Sequence, residues 1–129
     1  AYRIDPSLKD NLLFLGKMYY NDKNYNESVK FFSEYIKTSG EDTAIIHYLH
    51  GKALFNADRV SESKLALKKS LSCDHAFAKS SLLLAKCYLK ENAVPKAIKT
   101  LQRGVKSAPT NDALISSLKK LEGISLVAG

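Results

Sequence analysis

Apolar residues recur at helical spacing in seven successive stretches, each closed by a short polar turn. Residues 9–21 place Leu12, Leu13, Leu15, Gly16 and Tyr19 on one helix face, and the run Asn21-Asp22-Lys23-Asn24 ends it. A partner helix is predicted over 26–38, with Asn26 as its cap and Glu27 in its first turn, where a carboxylate suits the helix dipole. Residues 43–56 and 61–72 repeat the arrangement, with Ser61 as cap and Glu62 following, and residues 76–90 and 95–107 repeat it again. Pro95 fits at the first helical position, where its missing N–H costs nothing. Residues 112–121 restart the first-helix pattern with Ile115 and Leu118.

The stretches are periodic. Leu15, Gly16 and Tyr19 recur as His50, Gly51 and Leu54 and again as Leu84, Ala85 and Tyr88, offsets of 35 and 34 residues. The period predicts a stack of helix pairs, and the pattern within it resembles the tetratricopeptide repeat (TPR). In residues 78–111, Leu84, Ala85, Tyr88, Ala97, Leu101, Gly104 and Pro109 match the family's signature, with Ser81 where its Trp would stand. Residues 9–43 offer Leu12, Leu15, Gly16, Tyr19, Phe32 and Tyr35, but have Ser28 for the usual Ala and Gly40 for the usual Pro. Residues 44–77 diverge most: His47, His50, Ser63, Ser70 and His75 depart from the pattern, while Gly51, Leu54 and Leu67 hold the frame.

The resemblance implies an all-α fold, a right-handed superhelix of antiparallel helix pairs (an α-solenoid). It divides the chain into repeats at 9–43, 44–77 and 78–111, a capping helix and tail at 112–129, and the end of a preceding repeat at 1–8, as in a piece of a longer array. Pro6 supports the last assignment, lying 34 residues before Gly40 in the same phase.

Composition is consistent with one small domain: 129 residues, 45% of them apolar, can fill a continuous interhelical core. No run of 18 or more apolar residues writes a membrane span in this segment. Cys73 and Cys87 have no metal-ligand or redox spacing and read as small buried thiols, implying a reducing compartment, cytoplasmic or nuclear.

The sequence offers little catalytic chemistry. It has no phosphate-binding Gly-rich loop, serine elbow or paired inward carboxylates, so it reads as a non-enzyme with no cofactor. His47 and His50 sit three apart on a helix and read as partly buried packing residues. Asp42 precedes that helix and offers no evident third metal ligand.

Function must then come from the surface that stacking creates. In the family the resemblance names, set positions of each first helix line an inner groove. Here they are Leu13, Lys17, Tyr20 and Asn21; Tyr48, Lys52, Phe55 and Asn56; Lys79, Leu82, Lys86, Leu89 and Lys90; and Ser116 and Lys120 from the cap. Lys17, Lys52, Lys86 and Lys120 form one column beside Tyr20, Phe55 and Leu89. That pairing suits a protein or peptide partner with acidic and apolar side chains, the cations steering it and the aromatic surface supplying affinity.

The two-carboxylate clamp by which related cochaperones grip chaperone tails would fall on Leu13, Lys17, Leu49, Lys79 and Leu83, of which only Lys79 agrees. Net charge is +7, with 9 basic against 3 acidic residues after residue 76. A scaffold or adaptor is the expected function, with self-association into a larger assembly as one alternative. A basic nucleic-acid-binding array is the other, disfavoured because the cations are mostly Lys, without an Arg-rich cluster.

Overall fold

The computed structural model describes residues 6–128, with side chains from 8 to 123. Among the described residues all regular structure is helical: α1 (Pro6–Asn21), α2 (Tyr25–Ser39), α3 (Ala44–Asn56), α4 (Val60–Cys73), α5 (Ala78–Lys90), α6 (Val94–Ser107) and α7 (Asp112–Ala128). α1 begins earlier than the predicted residue 9, and α7 runs past the predicted residue 121. Of the segment read as the end of a preceding repeat, residues 1–5 lie outside the described residues, as does residue 129 of the tail.

Each helix packs on the next along the chain, and α3 also touches α5, as α5 touches α7. The molecule is a helical solenoid built from neighbour contacts. Its core lies in three clusters. Val29, Phe32, Tyr35, Ile46 and Leu54 join α2 to α3, Leu67, Leu83, Leu84 and Cys87 join α4 to α5, and Ala85, Ala97, Leu101, Leu114 and Leu121 join α5, α6 and α7.

The turns within pairs, residues 22–24, 57–59 and 91–93, share one geometry. Their middle residues, Lys23, Asp58 and Asn92, all have left-handed backbone, with φ of 64°, 62° and 58°. The following N–H groups of Asn24, Arg59 and Ala93 reach back to the carbonyls of Tyr19, Leu54 and Tyr88 at 2.9, 2.9 and 2.8 Å. The left-handed residues themselves donate to Tyr20, Phe55 and Leu89. This paired pattern is the Schellman motif, which satisfies the last carbonyls of the first helix.

It also corrects two predicted caps. Asn26 and Ser61 lie inside α2 and α4. The cap positions are Asn24 and Arg59, neither with a side-chain cap hydrogen bond. Their backbone angles nearly coincide with those of Ala93 before α6, so the preceding turn, not the side chain, sets the start of each second helix. Side-chain capping appears instead at α3, where Thr43 Oγ1 accepts a long bond from the Ile46 N–H at 3.4 Å.

Serines that depart from the family pattern have a structural reason. Ser28 Oγ donates to the Gly16 carbonyl and Ser63 Oγ to the Gly51 carbonyl, both at 2.7 Å and fully buried. Ser70 Oγ donates to the Ala44 carbonyl at 2.7 Å and meets Ser80 Oγ at 2.6 Å. Each buried hydroxyl is thus satisfied, as burial requires.

Candidate functional site

Gly16 and Gly51 let each first helix sit tightly on its partner, since a Cβ at either position would fall within 2.9 Å of Phe32 or Leu67 side-chain carbons. Four of the predicted groove residues, Lys17, Tyr20, Asn21 and Lys52, meet between α1 and α3. Lys17, Tyr20 and Asn21 of α1, Leu49 and Lys52 of α3, and the edge of Phe32 line one depression of about 210 Å³.

Its walls are braced across repeats. Asn56 Nδ2 donates to the Tyr20 hydroxyl at 3.0 Å and to the Lys52 carbonyl at 2.9 Å. Burial, reinforced by Tyr25 and opposed by the Asn56 bond, raises the Tyr20 phenol above its ordinary pKa, so it stays protonated. Lys52 Nζ lies 4.9 Å from the Tyr20 ring centroid and 5.9 Å from that of Tyr48. The ammonium is therefore held in an aromatic cradle, a cation–π contact of roughly 0.5–1 kcal/mol at an exposed site.

A second group of predicted residues meets further along. Lys90 Nζ lies 4.9 Å from the Phe55 ring centroid and 3.3 Å from Asp58 Oδ1. Lys52 and Lys90 are thus locally engaged rather than free columns of charge. Lys17, Lys79, Lys86 and Lys120 are exposed, without an ion pair among the described residues. Leu13 packs against the first core cluster, Tyr48 and Phe55 against the second and Leu82 against the third, while Leu89 is exposed. No described contact joins Lys79, Leu82, Lys86 or Lys120 to the Tyr20–Lys52 depression.

Elsewhere, the sequence reading missed a cluster at the other end of the α3–α4 pair. His47, at the start of α3, is buried, and its Nε2 lies 2.6 Å from Asp42 Oδ1 in the preceding loop. The same Asp42 oxygen accepts from Cys73 Sγ, at the end of α4, at 3.4 Å. Hydrogen bonds from His47 and then Cys73 hold the Asp42 carboxyl below its usual pKa. Desolvation, with Asp42 adding to it, raises the Cys73 thiol.

Two expectations are corrected here. Cys87 is buried but Cys73 is exposed, and Asp42 does stand beside His47. Asp42 and Cys73 are brought together by the return of α4 antiparallel to α3, which residue spacing does not show. His50, half-buried, is held to a pKa of about 4 by desolvation first and then by the nearby His47, Lys69 and Arg59, so it is neutral at neutral pH.

Helix pairs packed one on the next along the chain define a helical-repeat protein. The tetratricopeptide repeat profile matches residues 54–121, more than half of the sequence. The chain belongs to the tetratricopeptide repeat family. No curated protein matches it by sequence.

Among solved structures it is similar to the Sgt2 TPR domain from Aspergillus fumigatus, with a TM-score of 0.80 and 14% identity over 99% of this chain and 87% of that one. The first TPR domain of Spaghetti (RPAP3), bound to the HSP90 peptide SRMEEVD, superposes with a TM-score of 0.77 and 13% identity, covering 98% of this chain and all of that one. The yeast Sti1 TPR2B domain in its pHsp70 complex gives 0.76 and 19% identity over 91% and 98%. At these identities the likeness establishes the fold. No helix among the described residues is long and apolar enough to cross a membrane.

Proposed function

We propose that the chain is a non-catalytic protein-interaction scaffold that holds a peptide, or an extended segment of a partner subunit, along the face of α1, α3 and α5. The observation that carries this reading is the depression at the junction of the first two repeats, where Lys17, Tyr20, Asn21, Leu49 and Lys52 converge. Asn56 and the Lys52 contacts pre-order its polar and aromatic groups, which lowers the entropy lost when a ligand docks.

Two of the similar structures are complexes with HSP90 and Hsp70 ligands, which supports peptide capture as a use of this architecture. The ligand differs here. Leu13 and Leu49 are apolar where a carboxylate clamp needs polar groups, and Leu83 is buried in the core. The groove therefore suits a segment that alternates acidic and apolar side chains.

Phage display of random peptides on the chain, followed by titration of selected sequences, tests this reading. Acidic–apolar sequences should emerge and bind five- to tenfold more weakly to Lys17→Glu and to Lys52→Glu, a loss of about 1 kcal/mol per charge. Lys106→Glu on α6 should bind as the parent does. Equal binding by all three variants would place the surface elsewhere.

A further inference from the structure

Asp42, His47 and Cys73 come from three separate segments: the loop before α3, the first turn of α3 and the last residue of α4. Their carboxylate oxygen, imidazole nitrogen and thiol sulfur all lie within 4.8 Å of one another. They face an open depression of about 530 Å³, lined otherwise by Lys69 and Ser72. The geometry points to a binding site for one borderline-soft divalent cation, of which zinc is the type, held by Asp42 Oδ1, His47 Nε2 and Cys73 Sγ with water in the fourth position.

The chemistry and spacing both favour such an ion. Zinc takes sulfur at about 2.3 Å and nitrogen or oxygen at about 2.0–2.2 Å in a tetrahedron, so its donor atoms stand roughly 3.2–3.8 Å apart. Cys73 Sγ and Asp42 Oδ1 already meet that spacing at 3.4 Å. His47 Nε2 and Asp42 Oδ1, at 2.6 Å, must separate by roughly 0.6 Å or more. Asp42 is free to make that shift, since its side chain is 79% exposed on a loop.

His47 is the fixed point of the site, its side chain only 7% exposed. A neutral imidazole, a carboxylate and a thiolate carry two negative charges, matching the divalent ion. Cys73 enters as thiolate, releasing its proton to the buffer. Sulfur and nitrogen donors discriminate against Mg²⁺ and Ca²⁺, which require oxygen. The Lys69 ammonium at the rim opposes the ion, but it is exposed and solvent-screened. Bound metal would cross-link the loop before α3 to the end of α4, closing the second pair opposite its Schellman turn.

The test is a cobalt(II) titration of the tag-free chain under a non-thiol reductant, followed by displacement with zinc. A thiolate-to-cobalt charge-transfer band should appear, saturate at one equivalent, and disappear with zinc but not with a large excess of magnesium. Cys73→Ser should abolish the band, and Cys87→Ala should retain it. Asp42→Asn should weaken zinc binding at least tenfold. Because Asp42 and Cys73 are exposed, those variants keep the core intact, which circular dichroism verifies. No band in the parent chain, a band that survives Cys73→Ser, or unchanged zinc affinity in Asp42→Asn would overturn the assignment.

Discussion

Replacing Gly16 with Ala sets two opposing effects against each other. Ala is favoured over Gly in a helix interior by about 1 kcal/mol. The added Cβ would, however, stand 2.7 Å from both Phe32 Cδ1 and Cε1 and 3.2 Å from Cγ, against an ordinary carbon–carbon contact of about 3.5–4.0 Å. Phe32 is 1% exposed, so its ring cannot swing into water. Overpacking of this kind costs about 1–3 kcal/mol, and two ring atoms in overlap argue for the upper end.

Gly16→Ala should therefore destabilise the chain by about 1–2 kcal/mol net, lowering the thermal midpoint by roughly 3–8 °C. The third repeat shows the remedy: Ala85 and Leu101 occupy the positions equivalent to Gly16 and Phe32, and both are buried. Phe32→Leu alone should cost about 1–2 kcal/mol through the space it leaves. Gly16→Ala with Phe32→Leu should lose at least about 1 kcal/mol less than the sum of the single variants. Urea denaturation followed by circular dichroism of the four proteins closes the cycle. A neutral or stabilising Gly16→Ala, or losses that simply add, would refute the steric account.

Further outcomes follow from other residues. Since His50 has a folded pKa of about 4 against about 6.5 unfolded, stability should be complete above pH 6.5 and fall as pH drops from there to about 4, by at most about 3 kcal/mol. Water at the ring edge reduces that figure; His47, Lys69 and Arg59, which disfavour the imidazolium, and Glu62, which favours it, set the rest. Urea midpoints at pH 7 and pH 4.5 measure the loss, which should shrink in His50→Gln. Lys23→Gly should stabilise the chain by about 0.5–1 kcal/mol, because Lys pays a left-handed backbone penalty that Gly does not; a lower thermal midpoint would count against it. Ser63→Ala should cost about 1 kcal/mol or less, since Ala97 fills the equivalent site in the third repeat. A loss above 2 kcal/mol would mean the Ser63–Gly51 bond matters more than its geometry implies.

The repeat was legible because Gly16, Gly51 and Ala85 are read by their size: close helix approach demands a small residue whatever surrounds it. Asn26 and Ser61 misled because they have good capping side chains, whereas the turn backbone had already fixed the helix start two residues earlier. A lysine in the left-handed turn at position 23 gives no composition signal, so the shared turn geometry emerges only from the structure. Lys17, Tyr20, Asn21 and Lys52 were identified by register and do share a depression. Register could not show Lys52 resting on Tyr20 and Tyr48, since that depends on side-chain conformation. Asp42, His47 and Cys73 were hidden for a different reason, their proximity being created by the pairing of α3 with α4.

Cohesion in this chain passes almost wholly between consecutive helices, in three separate core clusters, with only the minor α3–α5 and α5–α7 contacts skipping a helix. A load applied along such an array meets its resistance one pair at a time, so under tension it would unravel from an end in steps of about one repeat and rewind in the reverse order. A partner lying across two repeats would bridge neighbouring steps and act as a clasp against pulling, giving the assembly a strength the bare chain lacks.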